Sequence, residues 1–126
     1  YISALDLKTH EIVWKKRIGT PRDSMPFPMP FPVPFNMGMP MLGGPISTAG
    51  NVMFIGATAD NYLRAFNMTN GEKLWEARLP AGGQATPMTY EANGKQYVLI
   101  AAGGHGSFGT KMGDYIVAYA LPDDAK

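Results

Sequence analysis

The chain has 126 residues, 45% of them hydrophobic and 17% charged, with 15 Gly, 11 Pro and a formal net charge of +1. That composition belongs to a turn-rich globular chain rather than a disordered or membrane-spanning one. The small charge, with no Lys/Arg run and no basic-aromatic interleaving, excludes a nucleic-acid footprint. The absence of cysteine excludes a disulfide scaffold, a thiolate metal site and a thiol nucleophile, but leaves the redox compartment open. No stretch approaches the roughly 20 apolar residues that span a bilayer, and Tyr1 does not open a signal-peptide pattern.

In chain order, the first element is a hairpin. The alternating run Tyr1-Ile2-Ser3-Ala4-Leu5 meets a polar turn and then Glu11-Ile12-Val13-Trp14. With only two strands, residues 1–18 read as the outer half of a propeller blade whose inner half lies upstream. The abrupt opening inside a strand is expected to mark the start of a fragment. Residues 19–44 form a Pro/Met-rich insertion in which Pro26, Pro28, Pro30, Pro32 and Pro34 alternate with Met, Phe or Val. Alternate prolines remove backbone donors and fix φ, so this run is predicted to be extended and not a central strand. The plain expectation is an insertion packed over the rim; the sharper one is a flap at a site mouth or on a membrane side. A PxxP ligand does not match the every-second-residue spacing.

Residues 45–80 read as one complete blade, with strands at 46–49, 51–57, 61–67 and 73–79 and turns at Gly50, Ala59-Asp60 and Asn70-Gly71. Residues 81–122 read as a last blade lacking one strand. Its strands fall at 85–90, 96–101 and 115–121, with a turn at Asn93-Gly94 and a polar tail at 123–126. Propellers commonly complete such a blade with a strand from the beginning of the chain, which leaves no free edge.

A repeat ties these pieces together. Ala4-x-Asp6-x-x-Thr9-x-x-x-x-Trp14 recurs as Ala65-x-Asn67-x-x-Asn70-Gly71-x-x-x-Trp75 with the same internal spacing. Period-2 strands in repeats of this size, with no helical pattern, predict an all-β chain of about two blades, each burying its faces against its neighbours. Asp6 is expected to bond the turn backbone. Trp14 and Trp75 are expected to be structural, wedging between blades and donating the indole N–H to a backbone carbonyl.

This repeat resembles the tryptophan-docking motif of the quinoprotein alcohol and glucose dehydrogenases, eight-bladed propellers that bind pyrroloquinoline quinone (PQQ). The likeness to the membrane-bound glucose dehydrogenases of enteric bacteria extends over essentially the whole chain. It is carried by Gly19-Thr20-Pro21-Arg22-Asp23, the Met/Pro loop, Gly43-Gly44-Pro45-Ile46-Ser47-Thr48-Ala49-Gly50, Ala59-Asp60-Asn61-Tyr62-Leu63-Arg64-Ala65 and Ala101-Ala102-Gly103-Gly104-His105-Gly106. The first copy departs from the motif at His10, where the family usually places Gly; the second departs at Asn67 and Asn70. These changes keep turn-forming character.

The glycine-rich stretch from Gly103 to Gly109 is the first candidate for contact with chemistry, because it permits close backbone approach while one imidazole projects from it. The resemblance places His105 and Gly106 beside the substrate and cofactor. There His105 would give a sugar hydroxyl a donor or acceptor where alcohol dehydrogenases often carry a Trp. The plain alternative is a surface hairpin histidine. Asp60 is a second candidate through the same resemblance, against the plain expectation of an acid capping an Asx turn.

No phosphate-cradling Gly-Lys-Ser/Thr loop, paired metal histidines or serine nucleophile elbow is present. The resemblance implies oxidation of glucose-like aldoses to the lactone, with PQQ as hydride acceptor and ubiquinone as electron acceptor. It also implies Mg²⁺ or Ca²⁺. The catalytic base and the metal ligands are expected upstream of this chain. It further implies the periplasmic face of the bacterial inner membrane, with the membrane reached only through an N-terminal anchor absent here and the remainder of the propeller as partner. A noncatalytic propeller scaffold binding protein partners is the rival, and the Gly-Gly-His loop with the Met/Pro insertion argues against it.

Overall fold

Alternating apolar and polar residues, punctuated by turn formers, give nine short strands and no α-helix among the described residues of the computed structural model, which are 1–19 and 41–121. The Pro/Met-rich run with its flap expectation, the end of the last blade and the polar tail lie outside the described residues. The strands are β1 (Ile2–Asp6), β2 (Glu11–Lys16), β3 (Ile46–Ser47), β4 (Val52–Ile55), β5 (Tyr62–Asn67), β6 (Lys73–Arg78), β7 (Met88–Ala92), β8 (Lys95–Ala102) and β9 (Tyr115–Ala120). They form three antiparallel sheets in simple meander order, β1-β2, β3-β4-β5-β6 and β7-β8-β9.

Strand limits differ from the sequence expectation where the local chemistry intervenes. β3 ends at Ser47 because Thr48 closes a tight turn, its N–H bonding Val52 O at 2.9 Å with Asn51 in the left-handed region at φ 65°. β4 leaves the ladder after Ile55. A Cβ on Gly56 would lie 2.5 Å from Ile100 and 2.7 Å from Gly83 O, so the chain runs there against the third sheet with no room for a side chain. The seventh strand begins at Met88 rather than at Ala85, since Pro87 has no N–H to give a ladder.

Two apolar layers hold the sheets together, one on each face of the central sheet. On one face Met53, Ile55, Ala57 and Phe66 pack with Ile18, supported by Ile2, Trp14, Met41 and Met68. On the other, Leu63 and Leu79 pack with Ala81, Val98, Ile100 and Ala102, supported by Phe54, Val117 and Tyr119. β5 is buried on both faces for this reason, whereas β6 is largely exposed.

The two copies of the repeat have matching geometry. Ala4 pairs with Trp14 and Ala65 with Trp75, and the register slips by one residue directly after each alanine. The turn is closed in the same way in both, by His10 N–H to Asp6 O and by Gly71 N–H to Asn67 O, each at 2.8 Å. Asp6 Oδ1 accepts from the N–H groups of Lys8 (2.8 Å) and Thr9 (3.2 Å), and Asn67 Oδ1 from that of Thr69 (2.8 Å). His10 and Gly71 occupy the same left-handed position, φ 60° and 72°.

Trp14 reaches across to the second sheet. Its Nε1 donates to Met68 O at 2.8 Å, and its ring lies so close over Gly71 that a Cβ there would sit 2.8 Å from two indole carbons. Trp75 meets Tyr119 of the third sheet edge-on, centroids 5.1 Å apart, and remains 39% exposed. Burial pushes the Tyr119 phenol above its ordinary pKa of 10.0.

Antiparallel alternation puts the β1–β2, β3–β4, β5–β6 and β7–β8 turns at one end of the sheets. The β4–β5, β6–β7 and β8–β9 connections lie at the other. The docking residues Asp6, Thr9, Asn67 and Gly71 therefore lie at the opposite end from Asp60 and His105.

Candidate functional site

The three connections at that second end are woven together by backbone bonds. Gly82 N–H donates to Lys111 O at 2.9 Å, Gly104 N–H to Gly82 O at 2.8 Å and Gly113 N–H to Gly103 O at 3.0 Å. Glycine is required at this crossing because the strands approach too closely for a side chain. A Cβ on Gly104, where φ is 74°, would stand 2.3 Å from Lys111 O. The incoming chain is pinned to the same region, Leu42 N–H donating to Ala57 O at 2.9 Å and Met41 bridging to Thr58.

Asp60 is not at the tip of an exposed loop. It is fully buried, and its carboxylate binds the Arg64 guanidinium through both oxygens, Nη1 to Oδ1 at 3.0 Å and Nη2 to Oδ2. Thr58 joins them, donating its hydroxyl to Asp60 Oδ1 at 2.5 Å and accepting from Arg64 Nη1 at 3.0 Å. The Arg64 Nε also lies 3.3 Å from Glu76, which Lys73 contacts at 3.0 Å. The residue is a buried charge held by an oppositely charged partner, which a desolvated carboxylate requires. In this arrangement Asp60 cannot take a proton from a substrate, since no part of it is accessible.

The polar network continues into the third sheet. Gln84, on the β6–β7 connection, donates Nε2 to Thr58 O at 3.1 Å and accepts from the Thr110 hydroxyl at 3.0 Å. Thr110 in turn accepts from the backbone N–H of His105 at 2.8 Å. His105 precedes a single 3-10 turn, Gly106–Phe108, closed by Gly109 at φ 71°. The imidazole is exposed and makes no capping bond. Asp60 and His105, far apart in sequence, are thus the two ends of one hydrogen-bonded chain.

Arg64, Thr58, Gln84 and Thr110 are absent from the sequence-derived candidates. Arg64 carried a readable signal, a cation four residues after Asp60 inside an otherwise apolar strand. Gln84 and Thr110 carried none, because their partners are set by the packing of two sheets. Beside the network, Asn61 holds φ 61°, and its buried side-chain oxygen has no hydrogen-bond partner among the described residues. It borders an open cleft of about 390 Å³ lined also by Arg78, Leu79, Pro80 and Lys111. Among the described residues no three His, Asp or Glu side chains come together as a cation site. This end of the sheets therefore offers a ligand the His105 imidazole and glycine-loop peptide groups, backed by a rigid buried network.

Comparison with known proteins adds the following. The family model for the PQQ glucose/ethanol/alcohol dehydrogenase β-propeller domain matches residues 1–98. The quinoprotein glucose dehydrogenase of Escherichia coli (strain K12) is 89% identical over 126 residues, covering 100% of this chain and 16% of that protein. Quinoprotein glucose dehydrogenase A of Acinetobacter calcoaceticus is 77% identical over 98% of this chain and 15% of its own length. Among solved structures, a quinohemoprotein alcohol dehydrogenase of Pseudomonas putida HK5 aligns with a TM-score of 0.58 at 34% identity, over 82% of this chain and 12% of that one. The chain thus spans about a sixth of the length of the curated relatives it matches.

Proposed function

The chain belongs to the PQQ-dependent glucose/ethanol/alcohol dehydrogenase family, as a portion of its β-propeller domain, and from that premise we propose that the whole protein oxidises glucose and similar aldoses to the lactone. In that reading ubiquinone takes the electrons and the reaction occurs at the periplasmic face of the bacterial inner membrane. The observation that carries the proposal is the 89% identity, over the full chain, to a protein named quinoprotein glucose dehydrogenase. An eight-bladed ring, with blades at residues 45–80 and 81–122 and half a blade at 1–18, fits the three sheets described above.

The chemistry of this end of the sheets is compatible with PQQ, a planar group rimmed by carbonyls and carboxylates. The exposed His105 imidazole and the peptide N–H groups of the glycine loop suit such an edge. When bound, PQQ supplies the acceptor for the hydride that leaves C1 of the sugar. Within that scheme His105 recognises a sugar hydroxyl and Gly106 lets the chain pass close to it. Asp60 acts at a distance by fixing Thr58. The base that removes the C1 hydroxyl proton, and the ligands of Mg²⁺ or Ca²⁺, are assigned to parts of the propeller outside this chain. His105 also favours a sugar over an alcohol, since an imidazole offers hydrogen bonds where an aromatic wall would offer only apolar contact.

The test is reconstitution of the full-length apoprotein with PQQ and Mg²⁺ or Ca²⁺, followed by a glucose oxidation assay with a quinone acceptor. Cofactor-dependent turnover supports the dehydrogenase; none, with PQQ shown to be bound, would abandon it in favour of a noncatalytic scaffold.

A further inference from the structure

We infer that Gln84 and Thr110 are positioning residues for sugar recognition, holding the loop that carries His105 in register with the second sheet; the inference rests on the dehydrogenase reading above. Both ends of the Gln84 amide are committed. Its nitrogen donates to Thr58 O at 3.1 Å and its oxygen accepts from Thr110 at 3.0 Å, so the amide cannot turn over without losing both bonds. The Thr110 hydroxyl has given its proton to Gln84, which leaves its lone pair to receive the His105 N–H at 2.8 Å. Gln84 and Thr110 are both buried, so water does not readily replace a partner that is lost.

The surrounding backbone is shaped to admit this bridge. A Cβ on Gly82 would lie 2.5 Å from both Gln84 Oε1 and Thr110 Oγ1, so only glycine leaves room for the two side chains to meet. The far anchor is equally fixed, because the hydroxyl of Thr58 is held between Asp60 and Arg64 while its carbonyl receives Gln84. At the near end, backbone bonds from Gly104 to Gly82 and from Gly113 to Gly103 secure the base of the loop. Beyond that base, the Thr110 hydroxyl ties the backbone of residue 105 itself, while the His105 side chain makes no capping bond. A group that recognises substrate from a loop needs this kind of support, because a displacement of about 1 Å is enough to lose a directional contact.

The experiment uses the full-length protein reconstituted with PQQ and Mg²⁺, comparing the parent with Thr110→Val, Thr110→Ser, Gln84→Met, His105→Ala and the Thr110→Val/His105→Ala double variant. Thr110→Val and Gln84→Met are expected to raise KM for glucose about fivefold, the ratio of one lost hydrogen bond, with kcat retained. Thr110→Ser, which keeps the hydroxyl, restores the parent KM. In the His105→Ala background, Thr110→Val adds nothing further, because the residue it positions has gone. Amide hydrogen exchange over residues 103–112 rises in Thr110→Val and returns in Thr110→Ser, with or without PQQ. An unchanged KM in Thr110→Val, or an equal rise in the His105→Ala background, overturns the proposal. If the parent itself fails to oxidise glucose, the dehydrogenase reading falls first. The exchange measurement then decides whether Thr110 holds His105, and unaltered exchange refutes that too.

Discussion

Substituting Gly71 by Ala places a methyl group where the first sheet's indole lies. The added Cβ would stand 2.8 Å from Cδ2 and Cε3 of Trp14, against an ordinary carbon–carbon contact of about 3.5–4.0 Å. The ring must therefore retreat by about 0.7–1.2 Å, which breaks the 2.8 Å bond from its Nε1 to Met68 O. Losing that bond costs about 1 kcal/mol, and a left-handed φ of 72° costs a residue with a Cβ roughly 1–2 kcal/mol. The substitution should destabilise the protein by about 2–3 kcal/mol. In a Trp14→Ala background only the backbone strain remains, so the cost should fall to about 1–2 kcal/mol. Urea unfolding of the full-length protein, followed by far-ultraviolet circular dichroism, measures both backgrounds. An equal cost in the two would refute the argument, because it would mean that the indole does not bear on Gly71.

Asp60→Ala should cost about 3–5 kcal/mol in the same assay by stranding the buried Arg64 guanidinium. The double change Asp60→Ala/Arg64→Met should cost less than the sum of the single ones. His105→Ala should raise KM for glucose roughly tenfold, as expected for one contact of about 1.4 kcal/mol. It should leave the melting temperature of the apoprotein unchanged, because the imidazole is exposed. Gly104→Ala, clashing with Lys111 O, should raise KM without unfolding the strands, as kinetics and circular dichroism together would reveal. Because the Tyr119 pKa is raised by burial, its contribution to stability is fully present below pH 10.0 and is lost as pH climbs through the raised value. The parent should therefore lose stability faster than Tyr119→Phe in that alkaline range, and parallel curves would count against desolvation of the partly buried phenol.

Much of the architecture is written locally. Alternation at period 2, turn formers at Asp6, Asn67 and Asn93-Gly94, and the recurrent Ala-to-Trp spacing decide where strands start, how hairpins register and that the chain is all-β, because each depends on residues only a few positions apart. The glycine loop around His105 was visible for the same reason. Between sheets, the partners are contributed by residues distant in sequence and no period encodes them. Only tertiary structure decided that Trp14 donates to Met68, that Asp60 is buried against Arg64, and that Gln84 links Thr58 to Thr110. Burial is the physical cause: excluding water from the crossing of three connections makes the side chains of Asp60, Arg64, Thr58, Gln84 and Thr110 find their partners in the protein. That requirement draws Asp60 and His105 into one network.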